Sequence, residues 1–579
     1  MSLAKILKLG AMAVAIAPLS LSGAFADGAA FFDPLDRIHP VWAENGMVSA
    51  QERLAAEIGR DILAKGGNAV DAGVAVAFAL AVTLPRAGNI GGGGFMLVHD
   101  AKTGQTHAID YREMAPSGAS RDMFLDEKGE PDSDKSLYSG AASGVPGTVA
   151  GMRLALEKYG SLPWAEVIAP AIRLAEEGFP VTPELSDSIE SEREYLEKHP
   201  ATKAIFFKPD GQVWQPGETL VQADLAKTLK KIAEEGPDGF YKGEVAEAVA
   251  RSVQAVGGLI TPEDMAAYKV VEREPVRGTY RGFEVVSMPP PSSGGVHLIQ
   301  ILNALEGYPI GALGQNSAQT IHLMAEAMKL AYADRSEYLG DPDFVDVPVA
   351  ALTSKDYAAA MRAKISAEFA TPAAQIKPAD LTPYESDQTT HFSIIDKDGN
   401  AVSNTYTINF NYGSGLVADG TGVLMNNEMD DFSAKPGTPN GFGLIGGDAN
   451  AIEGGKRPLS SMTPTLVLKD GKIWLVTGSP GGARIITTVL QVIMNMVDHG
   501  MNVAEASTAP RVHHQWLPDE LRVEEGISLD TLRLLEAKGH AIVLKDAMGS
   551  TQSIMRDPES GSLYGASDPR RPDAATLGY

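Results

Sequence analysis

Cysteine is missing altogether from the 579 residues. Disulfides, thiolate metal sites and a cysteine nucleophile are thereby excluded, and nucleophilic chemistry is left to Ser, Thr, Lys or a carboxylate. The lack says little about compartment, because a chain without thiols tolerates either redox state. Positive charge is also scarce: 49 Lys and Arg stand against 74 Asp and Glu, a formal net charge of −25. Such an excess argues against nucleic acid or an anionic membrane surface as partner and suits a soluble protein that handles small molecules. Past the N-terminus no segment reaches membrane-spanning length without charge or proline. No internal repeat and no low-complexity tract occurs. What is present is ordinary globular composition, 44% hydrophobic and 21% charged, enough for a sizeable core.

The N-terminus carries an address. Lys5 and Lys8 precede a nearly all apolar or small run over residues 9–21, and Ala24-Phe25-Ala26 has the small-x-small form of a cleavage site. This pattern predicts a signal peptide over residues 1–26 and export to the periplasm or medium. Pro18 and the serines interrupt the run too early for a membrane anchor.

Apolar spacing at Leu54, Ile58, Ile62 and Leu63 predicts a helix over 50–65, stopped by Gly66-Gly67. Residues 69–84 are apolar almost all round, which predicts a buried helix. Five glycines in Gly88-Asn89-Ile90-Gly91-Gly92-Gly93-Gly94 precede strands over 95–99 and 106–112. The order helix, loop, strand is wrong for a phosphate loop, so close backbone packing is the better reading. Helical spacing dominates 146–266, strands 275–288, and helices again 296 onward and 318–338. Residues 354–388 are polar and rich in proline, which predicts an exposed, mobile segment open to proteolysis.

That segment ends at Gln388-Thr389-Thr390-His391-Phe392-Ser393. Alone, these residues read as an ordinary strand start. Downstream, Lys397-Asp398-Gly399 is the signature of a type I turn with a G1 bulge. Pairing Asp396 with Asn400 puts Thr389 beside Thr407. One face then carries Thr389, His391, Ser393, Ser403, Thr405 and Thr407, and the other Phe392, Ile394, Val402 and Tyr406. Further strands (461–469, 472–477), helices (483–499, 528–538) and a final strand pair complete the chain.

Several familiar sites are absent. No His-Glu-x-x-His is present, and the adjacent His513 and His514 cannot share a helix face as metal ligands. Gly478-Ser479-Pro480-Gly481 follows Thr477, where a nucleophile elbow needs glycine. Adjacent Asp430 and Asp431 point apart in most backbones and read as a turn.

Five stretches remain: Asp110-Tyr111-Arg112-Glu113-Met114-Ala115-Pro116, the hydroxyl face, Asn426-Asn427-Glu428-Met429-Asp430-Asp431, Arg457-Pro458-Leu459-Ser460-Ser461-Met462 and Gly478-Ser479-Pro480-Gly481-Gly482. In order and wording they resemble the γ-glutamyltranspeptidases, from about Asp33 to Tyr579. The resemblance implies an α+β fold, the four-layer αββα sandwich of the N-terminal-nucleophile hydrolases. It also implies a precursor that cuts itself at Gln388–Thr389 into a large subunit, 27–388, and a small one, 389–579, which stay together as a heterodimer.

By the same resemblance Thr389 is the nucleophile, its freed α-amine the base, and Thr407 the group that orients the hydroxyl. Gly481 and Gly482 match the oxyanion hole. Arg112, Ser460 and Ser461 match contacts to the donor's α-carboxylate, and Asn409, Glu428 and Asp431 contacts to its ammonium. Donors are γ-glutamyl amides such as glutathione, acceptors are water, amino acids or peptides, and neither metal nor organic cofactor is required. One position departs from many bacterial members: Phe442 stands where they place a lid tyrosine that bonds the asparagine matched by Asn409. Two alternatives stay open, a cephalosporin (glutaryl) acylase of the same fold and an exported binding protein that does not cleave.

Overall fold

The computed structural model describes residues 37–376 and 389–579. The stretch expected to be a signal peptide, residues 1–26, and Gln388 lie outside the described residues.

Two seven-stranded sheets, each built from antiparallel pairs, form the centre. The first runs in the order 575–578, 47–50, 390–395, 401–407, 93–100, 105–111, 271–273. The second runs 41–43, 563–567, 552–556, 472–477, 465–469, 283–287, 276–280. The Thr390–Ile395 strand pairs with Ala401–Thr407 in the register set by the turn: Thr390 faces Tyr406, Ile395 faces Ala401, and Asp396 N donates to Asn400 O at 3.0 Å. Gly399 has φ 89°, as the bulge requires.

This register sorts the side chains as alternation predicts. Phe392, Ile394, Val402 and Tyr406 join one apolar core with helices Arg53–Ala64, Ala69–Thr83 and Trp164–Glu177. All fifteen residues of Ala69–Thr83 are buried there. The hydroxyl face turns toward the other sheet, where Ser393 Oγ donates to Gln552 O at 2.8 Å and Ser403 Oγ to Thr477 O at 3.1 Å. Helices Gly294–Leu305, Ala318–Tyr338 and Ile485–Val497 cover the second sheet through a second core. The layers are therefore α, β, β, α.

The glycine run is close packing. A Cβ on Gly92 would lie 2.1 Å from Thr407 O, and one on Gly94 2.4 Å from the Tyr406 Cβ. Backbone contact at that distance seats the hairpin hard against Gly93–Asp100.

One expectation needs correction. The 354–388 stretch is not uniformly exposed: Lys355–Arg362 forms a helix that buries Ala358 and Met361, and Ala373–Gln375 forms a 3₁₀ turn. Average polarity concealed apolar residues at helical spacing on one face.

Candidate active site

At the head of the hairpin Thr389 and Thr407 meet. Thr389 Oγ1 donates to Thr407 Oγ1 at 3.4 Å, and both residues are buried. Thr407 Oγ1 also accepts from Asn409 N at 2.8 Å, which fixes its hydroxyl. Thr389 has φ 142°, a strained value for a β-branched residue and worth about 1–3 kcal/mol. Thr390 points the other way, its Oγ1 buried without a partner in the apolar core.

A cleft of about 280 Å³ opens on this pair. Of the residues singled out by sequence, Arg112, Thr389, Thr407, Asn409, Glu428, Asp431, Phe442, Ser460, Ser461 and Gly482 line it. Gly481 stands just behind, at φ 130°, and Gly482 follows at φ 52°, both values that favour glycine. The pair leads through a 3₁₀ turn into helix Ile485–Val497. Ile485, the first residue of that helix, lines the same cleft as the threonines, so the helix starts with its positive end at the cleft wall.

Arg112 follows the strand Gln105–Tyr111 and is fully buried. Its Nη1 pairs with Glu428 and its Nη2 with Asp431, while Nε donates to Pro458 O at 3.2 Å. Burial opposes its charge, but Glu428, Asp431 and Glu113 outweigh that and raise its pKa. The 3₁₀ turn Glu428–Asp431 brings both carboxylates to one side. Burial raises their pKa values against the pull of Arg112. Asp430 points away, as expected of adjacent carboxylates. It accepts from Ser136 Oγ at 2.7 Å and Gly441 N at 2.7 Å, and burial pushes it up to about 6.

Ser460 and Ser461 are held by the stiff loop after Pro289: Ser293 N donates to Ser460 O at 2.9 Å, and Ser460 N to Pro291 O at 2.8 Å. Arg457, from the same motif, is not in the cleft. It braces the loop, with its backbone N on Asp341 Oδ2 at 2.8 Å and Nη2 on Lys269 O at 2.6 Å.

Phe442 covers the cleft. Its ring stacks on Phe410 with centroids 4.9 Å apart and planes 20° from parallel. Gln515 Nε2 donates to Gly443 O at 3.2 Å, tying down the same loop. Sequence reasoning missed this stack, and it missed Arg335, Leu444 and Ile485 in the lining; Met462, quoted in its motif without a role, lines it too. Arg335 sits in helix Ala318–Tyr338, where Nη2 donates to Ser461 Oγ at 3.2 Å and Nε to Ser293 Oγ at 3.0 Å. Burial pushes its pKa down to about 10.

Among the described residues one group brings metal-ligating atoms together: His322, Glu326 and His540, within 4.8 Å of one another. All three are already engaged. His322 Nε2 donates to Ser366 O at 2.7 Å, so its Nδ1 accepts from His540 Nε2 at 2.8 Å. Glu326 pairs with Lys329 and accepts from Thr371 N at 3.1 Å. None of the three lines the cleft.

Residues 55–578 match the family model of the γ-glutamyltranspeptidases. The chain is 61% identical to the glutathione hydrolase proenzyme of Escherichia coli (strain K12), over 94% of this chain and 93% of that protein. It is 43% identical to the acylase ACY 1 proenzyme of Pseudomonas sp. (strain SE83), over 91% of this chain and 92% of that one. Among solved structures, cephalosporin acylase from Bacillus halodurans superposes with a TM-score of 0.82 at 32% identity, over 95% of this chain and 99% of that one. Helicobacter pylori γ-glutamyltranspeptidase matches with a TM-score of 0.56 at 47% identity, over 60% of this chain and 97% of that one. With the threonine pair, the two-signed cleft and the αββα layers already in place, the chain belongs to the γ-glutamyltranspeptidase family.

Proposed function

We propose that the protein is an exported, self-cleaving γ-glutamyl acyltransferase and glutathione hydrolase with Thr389 as its N-terminal nucleophile. The observation that carries this is the Thr389–Thr407 contact at the wall of a cleft that holds both signs of charge.

Cleavage of Gln388–Thr389 frees an α-amine on the nucleophile itself. With a reference pKa near 8, that amine is a competent base at working pH. It takes the Thr389 hydroxyl proton while Oγ1 attacks the γ-carbonyl of the donor, and the Thr407 hydroxyl orients the attack. Gly481 and Gly482 present backbone N–H groups to the oxyanion, each such donor worth about 3 kcal/mol. The amine returns the proton to the departing nitrogen. Water or an acceptor amine then attacks the ester, giving up its proton to the same base, and Thr389 is regenerated.

Donor selection follows from the ion pairs. Arg112 already bonds Glu428 and Asp431, so a donor with both an α-carboxylate and an ammonium exchanges charge for charge. Its carboxylate takes Arg112, Ser460 and Ser461, and its ammonium takes Asn409, Glu428 and Asp431. A group carrying one sign alone would leave a buried charge unpaired.

Residues 27–388 form the large piece and 389–579 the small one. The Helicobacter pylori chain is matched over 97% of its length by 60% of this one, a share close to that of residues 27–388. Among the described residues no helix is long and apolar enough to cross a membrane.

Similarity to the two acylases supports a second reading, hydrolysis of glutaryl amides. Glu428 and Asp431 oppose it, because a glutaryl group brings no ammonium to them. Intact mass of the wild type beside Thr389→Ala tests the proposal. Two masses starting at the mature N-terminus and at Thr389, against one uncut mass for the variant, are expected. An uncut wild type overturns it. Release of p-nitroaniline from γ-glutamyl but not glutaryl p-nitroanilide separates the two substrate classes.

A further inference from the structure

Two neighbouring carboxyl groups behind Arg112 leave oxygens with nothing to bond: both oxygens of Glu113, and Oε2 of Glu428. Glu113 is 0% exposed and Glu428 1%. The two stand around one nitrogen: Arg112 Nη1 pairs with Glu428 and lies 3.7 Å from Glu113 Oε2. Ionised carboxylates only accept, so a pair of them cannot satisfy one another. One proton between them satisfies an oxygen on each.

Glu113 has no way out. A Cβ on Gly93 would lie 2.8 Å from Glu113 Oε2, and one on Gly144 3.1 Å from Glu113 Cβ, so backbone closes two sides. Arg112 Nη1 stands 3.7 Å from Oε2, too far for a hydrogen bond, and is already committed to Glu428. The other ionisable groups that act on Glu113 are Asp431 and the phenols of Tyr111, Tyr241 and Tyr268. Within this set Arg112 is the sole cation facing three carboxyl groups; Arg335 lies beyond Asp431.

We propose that Glu113 is a positioning residue of the donor subsite: it shares one proton with Glu428, and the shared proton keeps Glu428 aimed at the donor's ammonium. The proposal rests on the ammonium site assigned above. Burial, opposed by Arg112, pushes Glu113 up to about 7, and burial raises Glu428 as well, so the pair keeps one proton near neutral pH. Above that pH both groups ionise, repel, and Glu428 loses its aim. Donor affinity therefore falls as pH rises through the pair's apparent pKa, a limb opposite in sign to that of the Thr389 amine, whose deprotonation raises the rate.

The test uses the self-cleaved enzyme and L-glutamate, a competitive product that retains both charges. Its inhibition constant is measured against γ-glutamyl p-nitroanilide from about pH 6 to pH 9 and corrected for the separately titrated α-amine of free glutamate. For wild type the constant rises severalfold or more across the upper half of that range. In Glu113→Gln the amide N–H replaces the shared proton, so inhibition stays tight and the rise disappears. Glu113→Ala, with no donor for Glu428, binds about tenfold more weakly at every pH. The proposal is overturned if Glu113→Gln binds as weakly as Glu113→Ala, or keeps the wild-type rise. If Glu113→Ala fails to fold or to cut itself, Glu113→Gln against wild type decides alone. An inert wild type would count against the proposed activity. An active one, indifferent to Glu113, would count against the shared proton only.

Discussion

At the residue scale, the Thr389–Thr407 pair was legible because two local rules had to agree. The turn at Gly399 fixed the register, and the register sorted apolar from hydroxyl side chains, which the pairing of Thr390 with Tyr406 reproduces. Arg335 was not legible, since nothing in its helix distinguishes an arginine aimed at Ser461 from one reaching solvent. Glu113 was visible only as a letter in a motif; its missing partners appear only in three dimensions. Replacing Thr407 by Val keeps the shape and removes the hydroxyl. A fall in kcat of about tenfold is expected, the worth of one hydrogen bond made at the reacting oxygen. Steady-state kinetics beside circular dichroism checks it, and unchanged kcat with intact fold would remove Thr407 from the mechanism.

Elements tell a different story, because a loop is held by what it meets and not by its own pattern. The lid around Phe442 has no period to read, yet the Phe410–Phe442 stack and Gln515 hold it over Gly482. An offset aromatic pair adds about 0.5–1.5 kcal/mol beyond its buried area. Phe410→Ala should therefore loosen the lid and raise the donor KM by roughly threefold to tenfold, with little change in melting temperature. Phe442→Tyr tests the departure seen in the sequence. It is expected to alter the ratio of hydrolysis to transfer, measured with and without an acceptor dipeptide, and an unaltered ratio would free the lid from any role in partition. Helix Lys355–Arg362 escaped notice for a related reason: its few buried residues are diluted by charge, and only their spacing gives it away.

For the whole molecule, the pattern gave blocks of helix and strand and the family resemblance alone implied the αββα layers, while the short three-stranded sheet of 512–513, 521–523 and 542–544 was too brief to announce itself. Strand order carries a further expectation. In the first sheet strands 390–395 and 401–407 lie between 47–50 and 93–100, with 575–578 on the far side of 47–50. Under the proposed cut, neighbouring strands belong to different pieces on both flanks of the nucleophile. Size exclusion in native buffer should give one peak at the mass of the whole chain, and denaturing gels two bands. Separation of the pieces in native buffer would contradict this interleaving.

The interleaving also bears on kinetics of formation. Strands 47–50 and 390–395 pair across more than three hundred residues, a contact that one continuous chain closes in a first-order step. Two separate chains would have to find it by collision, at a rate set by their concentration, with unpaired strand edges exposed meanwhile. The peptide bond before Thr389 is then a tether needed once: it sets the order of the folding reaction, and cutting it afterwards leaves the product assembled.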